Sequence, residues 1–256
     1  MSGSDNVLEV RDVAVHFGGR HGLFGRSGPV LKAVNGVDLT IRRNETVALV
    51  GESGCGKSTL SNAIVGLLPP TQGSIRIKGE EIAGASRRKL NEIRRHVQMV
   101  FQDPALSLDP RSTVGATVGE PLAVRGIAKG RVLRDRVSDL LTQVGLRPEH
   151  AGRYPHQFSG GQRQRIVIAR ALALEPDLVV CDEPVSALDV SVRAQVLNLL
   201  VALQKRTGVS YLFVSHDLSV VRHISDRVAV MHEGRLTGIL PRPQCTQEAI
   251  MTLAVA

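Results

Sequence analysis

The chain has 256 residues, 43% of them hydrophobic and 22% charged, enough to bury a substantial core in one domain or a domain with subdomains. Tryptophan is absent and aromatics make up 3%, which argues against the base-stacking platforms of single-strand nucleic-acid binders. The net charge of +8 comes from basic residues spread along the chain, with dense runs only at Arg87-Arg88-Lys89 and Arg94-Arg95 on an expected surface helix, so basicity alone selects neither nucleic acid nor a membrane surface.

In chain order, LEVRDVAVHF (8–17) alternates apolar and polar residues in part, as an antiparallel strand with one solvated face does. TVALV (46–50) is a continuous apolar run, and Asn44 in the turn before it tolerates positive φ. SIRIKG (74–79) alternates again, and VQMVF (97–101) is continuous. From about 103 to 159 strand signals are weak, prolines fall at 104, 110 and 121, and a helical pattern runs through Arg131–Val144, which reads as a helical insertion. LVVC (178–181) and YLFV (211–214) are continuous, and RVAVMHEGRL (227–236) reads as a hairpin with Gly234 in its turn. The continuous runs suit a parallel sheet covered on both faces. Each passes into polar or glycine-rich sequence, GESGCGKST, QDP, DEP and SHD, where open α/β sheets place their ligands.

GESGCGKST, Gly51 to Thr59, matches G-x4-G-K-[ST] after a predicted strand, the context that gives this pattern meaning. Its glycines let the backbone curl around phosphates, and the helix expected from Lys57 turns its positive end toward them. Lys57 is expected to reach the β- and γ-phosphates, the Ser58 hydroxyl a Mg²⁺ ion, and Cys55 to contribute only its backbone N–H. LVVCDEP places two acids at the end of a buried strand, a costly position unless a cation compensates them. Asp182 then serves the metal shell, and Glu183 is placed to orient and deprotonate an attacking water. Ser159 and Gln162 fit a capping box for a helix running through Ile166, Ala169 and Ala173 until Pro176. A cap needs no Gly160-Gly161 pair, and glycine costs roughly 1 kcal/mol in a helix interior. The pair predicts a close approach of something to the bare backbone.

FSGGQ (158–162) resembles the signature of ATP-binding-cassette (ABC) ATPases. The family's other motifs follow in order: Gln102 in VFQDP resembles its Q-loop, Ser186–Asp189 its D-loop, His216 in VSHD its switch histidine, and Phe17 the aromatic residue that stacks on adenine. The resemblance covers about residues 8 to 236. It implies a single α/β domain of the P-loop ABC fold, with a mostly parallel core sheet, an antiparallel β subdomain and an α-helical subdomain. Core sequence would occupy 1–102 and 160–240, the helical subdomain about 103–159, and a tail 241–256. Two such domains would dimerise head to tail with ATP between them. Gly51, Ser53, Gly54, Cys55, Gly56, Lys57, Ser58 and Thr59 would hold one nucleotide, while Ser159, Gly160, Gly161 and Gln162 would serve the partner's. Ser58, Gln102 and Asp182 would face Mg²⁺, Glu183, Gln102 and His216 would carry the hydrolysis, and Asp189 would communicate across the dimer.

FQDPALSLDPRSTVGATVGEPL (101–122), YPHQFSGGQRQR (154–165) and DEPVSALDVSVRAQV (182–196) are similar to the ATPases of bacterial dipeptide, oligopeptide and nickel importers. HFGGRHGLFGRSGPVLKAVNGVDL (16–39) resembles the second of the two ATPases paired in such systems. This implies import of peptides through two membrane permeases, a related second ATPase, indirect service to an extracytoplasmic binding protein, and a place on the cytoplasmic face of the inner membrane. Alternatives are an importer of nickel or sugar, or a soluble ABC ATPase acting on nucleic acid or ribosomes; direct nucleic-acid binding is not expected. No signal peptide is expected, and no apolar run approaches the roughly 18 residues of a membrane span. Cys55, Cys181 and Cys245 are odd in number and carry no CxxC, which fits neither a disulfide framework nor zinc and suits a reducing compartment. The tail PRPQCTQEAIMTLAVA departs from the peptide group, and Cys245 alone does not support an iron–sulfur site.

Overall fold

The computed structural model describes residues 5–18 and 30–255, and its first strand, β1 (Asn6–Phe17), lies between two antiparallel neighbours. Residues 19–29, which carry much of the resemblance to the second paired ATPase, lie outside the described residues. The chain groups into two compact units, one from Met1–Arg94 and Ser210–Ala256, the other from Arg95–Val209. In the first, β1 pairs with β2 (Leu31–Arg42), whose end turns through Asn44 at φ 56 into β3 (Thr46–Val50). The alternation expected in β1 breaks at Asp12, where φ is 46 and the register shifts between Val10 and Val13. That bulge bends the strand, and Val7 to Val10 are buried in succession. Helix α1 (Lys57–Ile64) follows β3, then β4 (Gln72–Ile77), the two-residue β5 (Glu80–Glu81) and α2 (Arg87–Ile93), giving a sheet of order β2-β1-β4-β5. In β4 Ile75 and Ile77 are buried and Arg76 is exposed, as its alternation predicts.

The second unit opens with β6 (Val97–Val100) and α3 (Pro104–Ser107), followed by α4 (Val114–Val124) and α5 (Gly130–Gln143). Two short 3-10 turns, Pro148–Gly152 and Pro155–Gln157, lead to α6 (Gly160–Leu172). Strand β7 (Leu178–Asp182) runs parallel to β6 with Val97 opposite Leu178 and Val100 opposite Cys181. Their parallel register sends the sequences after both strands out of the same edge. Helix α7 (Val190–Thr207) closes the unit, capped by Asp189 at its start and by Gly208 at φ 72 at its end.

Returning to the first unit, β8 (Ser210–Val214) pairs in parallel with β3 on one side, and β9 (Arg227–His232) pairs in parallel on the other. Between them lies α8 (Leu218–Ile224), and β10 (Arg235–Pro241) completes the predicted hairpin through Gly234. All five residues of β3 are buried, as expected for a strand with parallel neighbours on both edges. The tail forms α9 (Gln247–Ala254), which sequence reasoning left without an element. Ile250, Ala254 and Cys245 join Ala48, Val50, Val221, Val228 and Val230 in one apolar cluster. Burial pushes the Cys245 thiol up, and its Sγ donates to the carbonyl of Pro241 at 3.3 Å, so this cysteine is a core residue. No helix among the described residues is long and apolar enough to cross a membrane.

Candidate functional site

In the first unit the residues between β3 and α1 form a tight loop around a buried ammonium. Lys57 Nζ donates to the carbonyls of Gly51 at 2.9 Å and Glu52 at 2.6 Å. It also lies 3.5 Å from Cys55 Sγ. Gly56 caps α1 in the left-handed region at φ 107, and a Cβ there would lie 2.1 Å from the Ala33 carbonyl. Only glycine fits both demands. No side chain caps α1, so no side chain occupies the first N–H groups of the helix, an arrangement suited to an anion, with Ser58 exposed and Thr59 half-buried there. Ser53 and Gly54 are exposed on the outer side of the loop.

At the same edge of this unit, β8 delivers His216, which is exposed. Its backbone is fixed by its neighbours: Ser215 Oγ accepts from the Asp217 N–H at 3.1 Å, and Asp217 Oδ1 caps α8 by accepting from Ser219 N at 2.9 Å. The roles of Ser215 and Asp217 were missed from sequence, although an aspartate before an apolar run is a helix-start signal. Phe17 stands at the exposed end of β1.

In the second unit the structure brings Gln102 and Glu183 together. Gln102 Nε2 donates to Glu183 Oε2 at 3.2 Å, joining the ends of β6 and β7. Glu183 follows Asp182 with φ 48, a backbone conformation that a non-glycine residue adopts at a cost of about 1–3 kcal/mol. Its carbonyl is held by Ser186, whose N–H and Oγ donate to it at 3.2 and 3.0 Å. The turn thus keeps the Glu183 carboxylate at the strand end with Gln102 as its partner. Cys181, one residue before Asp182, is fully buried; burial and the neighbouring Asp182 charge keep it a neutral thiol. Asp189 accepts from Val192 N at 2.9 Å and Ser191 Oγ at 2.8 Å, and these bonds hold its carboxyl below the usual range.

The expected capping box on α6 is present. Ser159 Oγ accepts from Gln162 N at 3.3 Å, and Gln162 Oε1 accepts from Ser159 N at 3.1 Å. Having accepted one bond, the exposed Ser159 hydroxyl still has its hydrogen to donate. The paired glycines divide in role. A Cβ on Gly161 would lie 2.2 Å from Val192 Cγ1, so the close approach inferred there comes from this chain's own α7. A Cβ on Gly160 would meet nothing nearer than Leu188 Cδ2 at 3.6 Å, an ordinary contact, and Gly160 is exposed. The packing of α6 therefore explains the second glycine and leaves the first unexplained.

The sequence matches the family described as "ABC transporter" over residues 34–186. It is 52% identical to the oligopeptide transport ATP-binding protein AppF of Bacillus subtilis over 233 residues, 91% of this chain and 71% of that protein. It is also 52% identical to the glutathione import ATP-binding protein GsiA of Salmonella paratyphi A over 236 residues, 92% of this chain but only 38% of that protein. Among solved structures it resembles the ATP-binding cassette MJ0796, a dimer in a post-hydrolysis state bound to ADP and Pi. That likeness has a TM-score of 0.79 at 31% identity and covers 92% of this chain and 98% of the cassette. With a family match across more than half its length and 52% identity to a named transport ATP-binding protein, beside an uncapped glycine-rich loop, a paired Gln102 and Glu183 and a capping box on α6, this chain belongs to the ABC transporter family as one of its ATP-binding ATPases.

Proposed function

We propose that this chain energises the import of peptides by hydrolysing ATP on behalf of membrane permeases. The observation that carries the reading is the 52% identity, over 91% of the chain, to a protein named for oligopeptide transport. The loop from Gly51 to Thr59 takes the phosphates of ATP on its backbone N–H groups and Lys57, with Phe17 against the adenine. Glu183 holds and deprotonates the attacking water, Gln102 orients both, and His216 donates toward the γ-phosphate. Ser159, Gly160 and Gln162 present the signature to the nucleotide of a second ATPase chain, related rather than identical to this one, and Asp189 responds to that partner. Gln102 couples the site to the permeases, which keep this chain on the cytoplasmic face of the membrane.

Mg²⁺ suits the donors available. Ser58 offers a hydroxyl oxygen, Asp182 a carboxylate and Gln102 an amide oxygen, the hard donors that magnesium takes. Magnesium characteristically takes one or two carboxylates and completes its shell from substrate phosphates and water. When bound, it supplies charge neutralisation at the β- and γ-phosphates. Glu183→Gln keeps the size of the side chain and removes the base. It should lower kcat by about 10²–10⁴-fold while ATP binding survives. Uptake of radiolabelled di- and oligopeptides into vesicles carrying the permeases and both ATPases tests the import reading. ATP-dependent uptake of nickel or sugar with none of peptide would reject it.

A further inference from the structure

Gln164 is 0% exposed on α6, and neither its Nε2 nor its Oε1 has a hydrogen-bond partner among the protein's own groups. A buried side-chain amide is uncommon, and one with both ends unsatisfied calls for a physical account. Its direction is fixed by the helix. At roughly 100° per residue it points about 40° from Gly160 and about 60° from Gly161, one turn further along α6. Those two glycines mark what this face meets: Leu188 beside the first and Val192 beside the second. Gln164 thus shares the face of α6 that meets Leu188 and the first turn of α7, next in sequence to Ser186, which grips the carbonyl of Glu183.

We propose that Gln164 is a positioning residue for ATP hydrolysis, whose amide becomes the hydrogen-bond partner of the Ser186–Val192 backbone when the cassette closes on ATP. The inference rests on the reading of Glu183 as the base and of α6 as the signature helix. An unsatisfied buried amide raises the energy of the arrangement seen here, and a shift of the overlying turn that satisfies it is favoured by the difference. Because that turn holds Glu183, the shift is transmitted to the base.

Gln164→Met tests this, since methionine keeps length and volume but offers no comparable hydrogen bond. In the full chain, alone and with its permeases, we expect a melting temperature at or above that of the wild type and a KM for ATP within about twofold. The same variant should show kcat reduced by about tenfold or more, the pattern of an interaction used only on the way to the transition state. Gln164→Leu serves as a second variant with the same expectation. A kcat within about twofold of wild type in a stable variant would overturn the proposal, leaving the amide a static cost. A lowered melting temperature in both variants would also overturn it, showing that the amide is already satisfied in the resting fold. A wild-type chain that fails to hydrolyse ATP would instead reject the functional reading beneath it.

Discussion

Gly160 and Gly161 are chemically identical neighbours, yet the space around them predicts opposite outcomes on adding one methyl group. At Gly161 the new carbon would fall 2.2 Å from Val192 Cγ1. Gly161→Ala should therefore destabilise the fold by about 1–3 kcal/mol, the usual cost of overpacking. Urea unfolding reads that loss, and adding Val192→Ala, which removes the clashing methyl, should restore most of it. At Gly160 the same carbon meets only an ordinary contact at 3.6 Å, and alanine favours a helix over glycine. Gly160→Ala should leave stability unchanged or higher while hydrolysis falls, because the added methyl stands where another chain's ATP is proposed to approach. Normal hydrolysis by a stable Gly160→Ala would remove this glycine from the signature's function.

At the scale of elements, the route into the signature helix carries a pH dependence of its own. His150, in the 3-10 turn Pro148–Gly152, packs edge-on against Phe158, with ring centroids 5.3 Å apart and planes at 82°. Burial lowers its pKa from 6.5, and the charges of Arg153 and Arg147 add to the effect. The folded chain thus binds this proton more weakly than the unfolded chain. Stability is whole above pH 6.5 and is lost as pH falls from there toward the depressed folded value. Thermal unfolding followed across that range should show the loss, and His150→Phe should flatten the slope. Such detail is not written in the sequence, but much of the framework is. TVALV reads as a buried strand because nothing polar interrupts it, and Ser159 with Gln162 reads as a box because capping is a local bond. Strand β2 is legible only in its second half, where Val37-Asp38-Leu39-Thr40-Ile41-Arg42 alternates; Lys32 and Asn35 interrupt the pattern before it, where pairing with the preceding β1 holds the strand. Helix α7 carries apolar residues on several faces, although Asp189 and Gly208 bracket it as caps. What approaches a glycine, and whether Gln164 finds a partner, are set by packing between elements and have no local signature.

For the whole molecule, the decisive expectation concerns dilution. The phosphate loop, its buried Lys57 and the open start of α1 belong to one chain, so ATP binding should not depend on protein concentration. Hydrolysis, if Ser159 and Gly160 serve a second chain's nucleotide, should rise with about the square of concentration where the chains are mostly apart. Ser159→Arg then leaves ATP affinity nearly intact while abolishing turnover, and hydrolysis that is first order in protein and insensitive to this change would sink the two-chain reading. Net charge extends the test to the identity of the partner. Two copies of a chain carrying +8 repel each other at long range, and salt screens that repulsion. Self-association should therefore strengthen as ionic strength rises, whereas pairing with an acidic related ATPase should weaken. Because salt also competes with ATP at a cationic loop, the comparison must be made at saturating nucleotide, with KM measured separately at each ionic strength. If the chain alone gains activity per molecule with salt, it works as a pair of identical subunits. If it stays inactive alone and responds only to an acidic second ATPase, with an affinity that falls as salt is added, the heterodimer is the working unit.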